Sequence, residues 1–511
     1  MDNTFKWNQD LYEEIERNVE DNIAKVNNKE VYSITGEEYS DLISDIEEEY
    51  FTHPDGQYNG DKHNIKTDDN YRNKPLIRNT QTVRFYGNAI QKAINKASEN
   101  GGGKVIIPGN SDSNNPNVYY TGAITLKSNV ELHIEENAIL KFVRNKTNEF
   151  YPLVFTRWEG IELMNFSPFV YSYQAENISI TGKGILDGCA DEFNWMPWKF
   201  GYFNEEDQQI QRERLFELGQ KCVDVRSERI FNDKISTIRP PFIQFYKSKN
   251  ILLKEFKITN SPFWGINPVL CENMKVSNLI IKSNLYNNDG VDPESCKNLI
   301  IEDCYFLTGD DCIAIKSGRN NDGRRVNVPC KNIIIRNNIF KDGHGGITIG
   351  SEISGGVNNI LAHDNYFDSK ELDYPIRFKT NAERGGRLEN IYIKNSTINK
   401  SKLAVIHADF FYEEGTQGDH KPVLRNITLS NIKTVEGGYI DAKNSLYLKG
   451  FENSPIENIY LEDLELNGVK GDAILQNIKN ITFKNVYING KKSEDCTINI
   501  ENLIKMESCN S

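Results

Sequence analysis

The sequence predicts an all-β fold: a parallel β-helix whose short strands stack coil upon coil, with an N-terminal helical cap. Three observations lead there. Short β-rich runs led by asparagine recur at Asn250, Asn273, Asn298, Asn332, Asn359, Asn390, Asn426, Asn458 and Asn480. Their spacing drifts between 22 and 36 residues, the kind of period that solenoids show. No helical run separates them, and each unit alternates Ile, Val or Leu with polar residues. One unit cannot bury its apolar side alone, so the coils must stack, and the leading asparagines can pair their amides up the ladder. A propeller would need steadier blades of about 40–45 residues.

The elements follow in chain order. Residues 1–70 are acidic and lack the repeat; they read as a partly helical N-terminal extension (helices over 8–25 and 36–51), a solvated appendage. In YGNAIQKAINKASENGGG, the residues Ala89, Ile90, Ala93, Ile94 and Ala97 stand at helical spacing ahead of three glycines. That helix would plug the open end of the solenoid. The β-helical domain is expected over 71–505. Residues 188–240 interrupt it with the aromatic, charged stretch FNWMPWKFGYFNEEDQQ, read as a loop insertion walling a cleft.

Composition narrows the partners. The 511 residues, 38% hydrophobic and 11% aromatic, allow a sizeable core. A net charge of −13 argues against nucleic acid or an anionic membrane as partner, because phosphates need positive faces. An acidic ligand would therefore need a local basic pocket. Nine cysteines without a CxxC pair leave at least one thiol free. The first residues, MDNTFKWNQDLYEEIERN, show no signal-peptide pattern, and no run of 18 apolar residues spans a membrane. The expectation is a cytoplasmic chain, or a secreted one whose leader was removed, acting as a monomer or weak homo-oligomer.

Apolar-x-apolar triplets let the coils be aligned. Val291-Asp292-Pro293 is set beside Ile313-Ala314-Ile315, Ile347-Thr348-Ile349 and Ile376-Arg377-Phe378. Two residues before each triplet stand Asp289, Asp311 and Gly345; three before stand Asn288, Asp310 and His344. One past it stand Glu294, Lys316, Gly350 and Lys379. Parallel strands lie about 4.8 Å apart, so Asp289 should face Asp311 and Asp310 should face His344. Arg377 and Lys379 join from the next coil. Two carboxylates in one column can hold a water and draw off its proton, while a third, its pKa raised by crowding, delivers a proton to a leaving oxygen. Paired carboxylates flanking a bond are what glycoside hydrolysis requires. Arg377 and Lys379 offer a fork and a point charge for a substrate carboxylate. Calcium ligation by the acids is the competing reading, but His344 does not suit a hard cation, and His53, His63, His133, His363, His407 and His420 form no metal-spaced pair. No metal and no cofactor are expected.

At these residues the sequence resembles the polygalacturonases, pectin-cleaving glycoside hydrolases. Their four motifs stand here as NND (Asn287–Asp289), GDD (Gly309–Asp311), GHG (Gly343–Gly345) and RFK (Arg377–Lys379), and the resemblance covers roughly residues 80–490. It implies a right-handed β-helix that cleaves α-1,4-galacturonosidic bonds with inversion. By resemblance Asp310 is the general acid, Asp289 and Asp311 activate water, and His344 assists. Arg377 and Lys379 bind the uronate, with Asn287 and Lys316 as further substrate contacts. Asn288 and Phe378 replace the family's threonine and isoleucine. RPPFIQFYKSKN, SPFWGINPVLCEN and AIKSGRNNDGRR look like the bacterial, often exo-acting branch, in which Arg319, Arg324, Arg325 and the 188–240 insertion would grip a chain end. Tyr412 is a candidate sugar-stacking residue. Rival readings are a rhamnogalacturonan or other decorated-pectin glycosidase, a pectin lyase, and a non-catalytic β-helix.

Overall fold

The structure, a computed structural model, describes residues 7–23, 30–57 and 68–506. The chain folds as a right-handed parallel β-helix, the sense that parallel crossovers take. Its packing falls into two units: Lys25–Asn267 with Lys282–Asn288, and Met1–Ala24 with Pro268–Ile281 and Asp289–Ser511. That division does not coincide with the change of composition near residue 70.

In the first unit, the helix Gly87–Glu99 buries Ala89, Ile90, Ala93, Ile94 and Ala97 completely. It packs on the strands Gly103–Ile107 and Val130–Ile134, as the expected cap does. Three strand columns climb from there. One runs through Gly103–Ile107, Val130–Ile134, Glu176–Thr181 and Lys249–Lys254, all parallel. A second runs through Asn117–Thr121, Ala138–Phe142, Ile185–Asp187 and Lys257–Thr259. A third joins Ile124–Thr125, Val170–Tyr173 and Ile243–Tyr246.

Two expectations are corrected in this unit. The stretch 36–51 is not a helix beyond the short 3-10 turn Glu37–Leu42; Ser44–Thr52 is a strand antiparallel to Ile77–Phe85. The acids of SDIEEEY face Arg78 and Arg84 across that pair, and such opposite-charge cross-strand neighbours favour the strand. The insertion 188–240 is not merely a loop. It holds the helix Gln208–Gln220 on the strand Ile161–Phe166, and Leu215, Phe231 and Ile238 form a core with Trp158, Phe263 and Trp264.

In the second unit, one long column runs Glu272–Ser277, Lys297–Glu302, Cys330–Arg336, Val357–His363, Arg387–Lys400, Val423–Thr434, Ile456–Leu466 and Ile478–Lys484. The leading asparagines do pair. Asn298 donates to Asn273 at 3.1 Å, Asn332 to Asn298 at 3.1 Å, Asn359 to Asn332 at 3.0 Å, and the ladder continues to Asn480. Each of these asparagines has a φ near +57°, a left-handed turn conformation that asparagine tolerates better than other side chains with a Cβ. The repeat letter is thus fixed twice, by backbone and by amide.

The helix Gln9–Ile23 also belongs to this unit and is no solvated appendage. It lies on the first three strands of that column with Ile15, Val19 and Ile23 buried. Its acids end on cations of the sheet: Glu16 meets Arg336 and Glu20 meets Lys275, each at 2.6 Å. A period-3.6 apolar stripe needs a partner surface, and the solenoid supplies one. The cysteines among the described residues are free thiols, and no described helix is long and apolar enough to cross a membrane.

Candidate active site

A second column of the same unit carries the chemistry: Ile313–Ile315, Gly345–Ile349, Tyr374–Lys379 and Ala404–Asp409. Its register is the one read from the triplets. Val291 bridges Ile313, Ile313 pairs with Ile347, and Ile347 pairs with Ile376. Gly290 N–H donates to Asp311 O at 2.9 Å and His344 N–H to Asp310 O at 3.0 Å, so the two expected side-by-side pairs are real. Each of Asp289, Asp310 and Asp311 offers a carboxylate oxygen within 4.8 Å of the others. The three acids share one rim.

Their surroundings differ. Asp311 is fully buried; Lys379 Nζ donates to Oδ2 at 2.6 Å, while Arg377 Nη1 and Thr348 Oγ1 donate to Oδ1 at 3.2 and 3.1 Å. Burial pushes its carboxyl up, but Lys379 and Arg377 outweigh that and hold it below the usual range. Asp289, 4% exposed, has the opposite environment. Burial first, then the charges of Asp292 and Asp310, push its pKa well up. Its Oδ1 is a buried acceptor that no donor among the described residues satisfies.

Asp310 is more open, with a side chain 20% exposed, and His344 more so at 47%. His344 Nδ1 lies 3.1 Å from Asp310 Oδ1. Burial raises the Asp310 carboxyl, yet the hydrogen bond and charge of His344, with Lys379 and Arg377, bring it below the usual range. The same bond raises His344. The crowding expected from sequence therefore raises a pKa on Asp289, not on Asp310; the Asp310–His344 pair instead shares a proton that resides on the imidazole.

The glycines of the GHG motif have a steric reason. A methyl group on Gly345 would stand 2.0 Å from Thr348 Oγ1 and 2.6 Å from Asp311 Oδ1. Gly343, at φ +140°, runs so close to Asp310 O that a methyl would meet it at 2.6 Å.

Comparison with known proteins places this geometry. A family model described as glycosyl hydrolases family 28 matches residues 219–498. The chain belongs to glycosyl hydrolase family 28. A solved structure, a hyperthermoactive exopolygalacturonase from Thermotoga maritima, is similar at 38% identity and a TM-score of 0.76, covering 82% of this chain and 92% of that one. An exo-poly-alpha-D-galacturonosidase of Dickeya chrysanthemi is 25% identical over 353 residues, 65% of this chain and 56% of that protein. A “Probable polygalacturonase” of Vitis vinifera is 26% identical over 406 residues, 76% of this chain and 71% of that protein.

Some of the binding residues expected in this family 28 chain sit elsewhere than the rim. Lys316 is 2% exposed, with Nζ 3.2 Å from Glu352 and 3.9 Å from Asp292. It neutralises acids beneath the site and offers no face to a ligand. Arg319, 3% exposed, spans Glu352, Glu413 and Glu414 at 3.4 Å each. Arg324 donates to the carbonyls of Glu383 and Arg384, and Arg325 to Asp322. Acidic side chains and carbonyls of neighbouring turns reach Arg319 and Arg324 first, whereas Arg325 stays exposed and pairs with Asp322 in its own helix.

Tyr412 does lie at the site: Lys379 Nζ is 5.4 Å and the Arg377 guanidinium 5.8 Å from its ring. Tyr374, missed by the sequence reading, lies with its ring 4.8 Å from the Arg377 guanidinium. His407, in register below Arg377, is wedged between Tyr374 and Tyr447; burial and the cations Arg377 and Lys379 lower it to about 3, so it stays neutral. Asp292 and Thr348 were also missed as site residues. The signal was available, since both occupy the middle position of their triplets, as Arg377 does. In the first unit, Asn287 accepts from Arg239 at 2.9 Å. Asn288 is held by Ser261 O, Phe263 O, Ser283 and Leu285, which makes it an anchor of its turn. Phe378, the other departure from the family pattern, is buried.

Proposed function

We propose that this family 28 hydrolase cleaves α-1,4-galacturonosidic bonds of pectic poly- and oligogalacturonides from a chain end, with inversion. The observation that carries the reading is the trio Asp289, Asp310 and Asp311 at one rim with Arg377 and Lys379 beside them.

The roles follow from the electrostatics. A raised pKa makes Asp289 the stronger base, so it takes the proton of the attacking water. Asp311, ionised between two cations, is a weak base and orients that water through its oxygens. Asp310 relays to the leaving oxygen the proton that the His344 imidazolium holds across their 3.1 Å contact, which leaves the imidazole neutral. Arg377 and Lys379 keep their bonds to Asp311 and present their remaining N–H groups to the uronate of the bound sugar, while Tyr412 stacks beside them. Inversion is carried by the resemblance to the polygalacturonases and not by the spacing, because the carboxylates stand closer than the usual inverting separation of about 6.5–9.5 Å. End-wise action is supported by the likeness to the Thermotoga and Dickeya exo-enzymes, not by Arg319, Arg324 or Arg325, which are bonded within the fold.

Thin-layer analysis of products from tri- and polygalacturonate tests this. Release of short uronides alone from the start is expected. A ladder of intermediate lengths would make the enzyme endo-acting, and an unsaturated product absorbing in the ultraviolet would make it a lyase.

A further inference from the structure

We propose that Tyr447 and Lys449 form a second uronate-binding subsite, two coils beyond Arg377 on the same strand column, which holds a later sugar of the chain being cleaved. The inference rests on the galacturonide-hydrolase reading and adds two residues that none of the four motifs contains.

The register sets the path. Asp289, Asp311, His344 and Arg377 come from consecutive coils, so a sugar chain running from the acids to Arg377 already heads along the column. Further on, Arg377 pairs with His407 and His407 with Tyr447, while Lys379 pairs with Asp409 and Asp409 with Lys449. Leu446 and Leu448 are buried on the inner face, which leaves Tyr447 and Lys449 on the outer one, where Arg377 and Lys379 also lie. Two steps of about 4.8 Å put them roughly 10 Å past the first uronate contact. A pyranose ring is about as long as one step, so a carboxylate comes within their reach one or two sugars further along.

Both side chains are half-buried, and their polar ends are not spent. Among the described residues the Lys449 ammonium makes no ion pair and no hydrogen bond, and it lies 4.9 Å from the Tyr447 ring. Asp409, in register between the two lysines, accepts the Phe411 N–H at 2.8 Å and pairs with neither; burial pushes its carboxyl up. The Tyr447 ring is braced by His407, stacked 5.1 Å away at 14°. Arg377, Lys379 and Lys449 all help keep that imidazole neutral, so three cations converge on an uncharged ring. Arg377 and Lys379 have Asp311 as their bonded anion; Lys449 has none, and a uronate would supply it. On the next coil Gln476 pairs with Lys449 and lines a hollow of about 1200 Å³ that carries Asp419, Glu452 and Glu501 against Lys421 and Lys479. That excess of acids disfavours a further uronate, so Lys449 closes the cationic strip.

Steady-state kinetics of the wild type, K449M and Y447F on di- and tetragalacturonate test this. K449M keeps the aliphatic stem and loses the charge. It should lower kcat/KM about tenfold more on tetragalacturonate than on digalacturonate, mostly through KM, the usual worth of a hydrogen bond to a charged group. Y447F loses only the hydroxyl and should show the same bias, about threefold, as a neutral hydrogen bond does. Equal factors on the two substrates for K449M would overturn the subsite, and equal factors for Y447F would remove Tyr447 from it. If the wild type releases no uronic acid from either substrate, the hydrolase reading fails by itself. Calorimetry with tetragalacturonate then judges the subsite alone: a Kd about tenfold weaker for K449M than for the wild type sustains it, and an equal Kd refutes it.

Discussion

Asp289 and Asp311 occupy the same column on adjacent coils, yet their neighbours give them opposite character. Asp311 is clasped by Lys379, Arg377 and Thr348 and is held ionised. Asp289 is buried beside another acid, Asp292, and binds its proton tightly. Lys316 lies nearer to Glu352 than to Asp292, and its charge lowers Asp289 less than burial and the charges of Asp292 and Asp310 raise it. The solenoid register brings like groups together; the next residue along each coil then decides which is the base and which the holder.

The largest expected effects test that division. D289N and D311N should each lower kcat by about 10²–10⁴-fold, the usual worth of acid–base groups. Only D311N removes the counter-ion of Arg377 and Lys379, so it should bind trigalacturonate more tightly than D289N does. Equal dissociation constants by calorimetry would erase the distinction. Next in size, R377A should cost about 2–5 kcal/mol of kcat/KM, mostly through KM, as a charged partner of the uronate is lost. An unchanged kcat/KM on digalacturonate would refute that contact.

Two pH effects sharpen the comparison further. Asp289 must be unprotonated to act, and burial with the neighbouring Asp292 charge raises its pKa, so the acid limb of kcat/KM should lie above the ordinary carboxylate range. D292N removes a like charge and should move that limb to lower pH; an unmoved limb would detach Asp292 from the base. His344 is raised chiefly by its bond to Asp310, and activity should fall as pH rises through that value and the shared proton leaves. H344N should bring the alkaline limb to lower pH, with a smaller loss of rate than either aspartate variant causes.

The coil register was legible because Val291, Ile313, Ile347 and Ile376 mark equivalent positions, and the asparagine ladder because its spacing repeats in plain letters. Charge partners were not legible. Lys316 and Arg319 read as site cations because they stand near the motifs, but Glu352, Glu413 and Glu414 reach them from later turns. Ser44–Thr52 read as helix because Ile43, Ile46 and Tyr50 stand at the helical spacing i, i+3, i+7, and its partner strand lies some thirty residues on. Arg239 opens the family-like stretch RPPFIQFYKSKN, yet nothing local to it announces a bond to Asn287, 48 residues away. Side chains that act across coils are visible only once the coils are stacked.

The claim that Asp289 and Asp311 hold an attacking water between them is tested most directly by proton NMR during the first turnovers on trigalacturonate. Direct displacement at an α-linkage predicts that the new reducing end appears first as the β-anomer and only then mutarotates. The α-anomer appearing first would mean that one aspartate attacks the sugar itself, and the assignment of base and holder would be wrong.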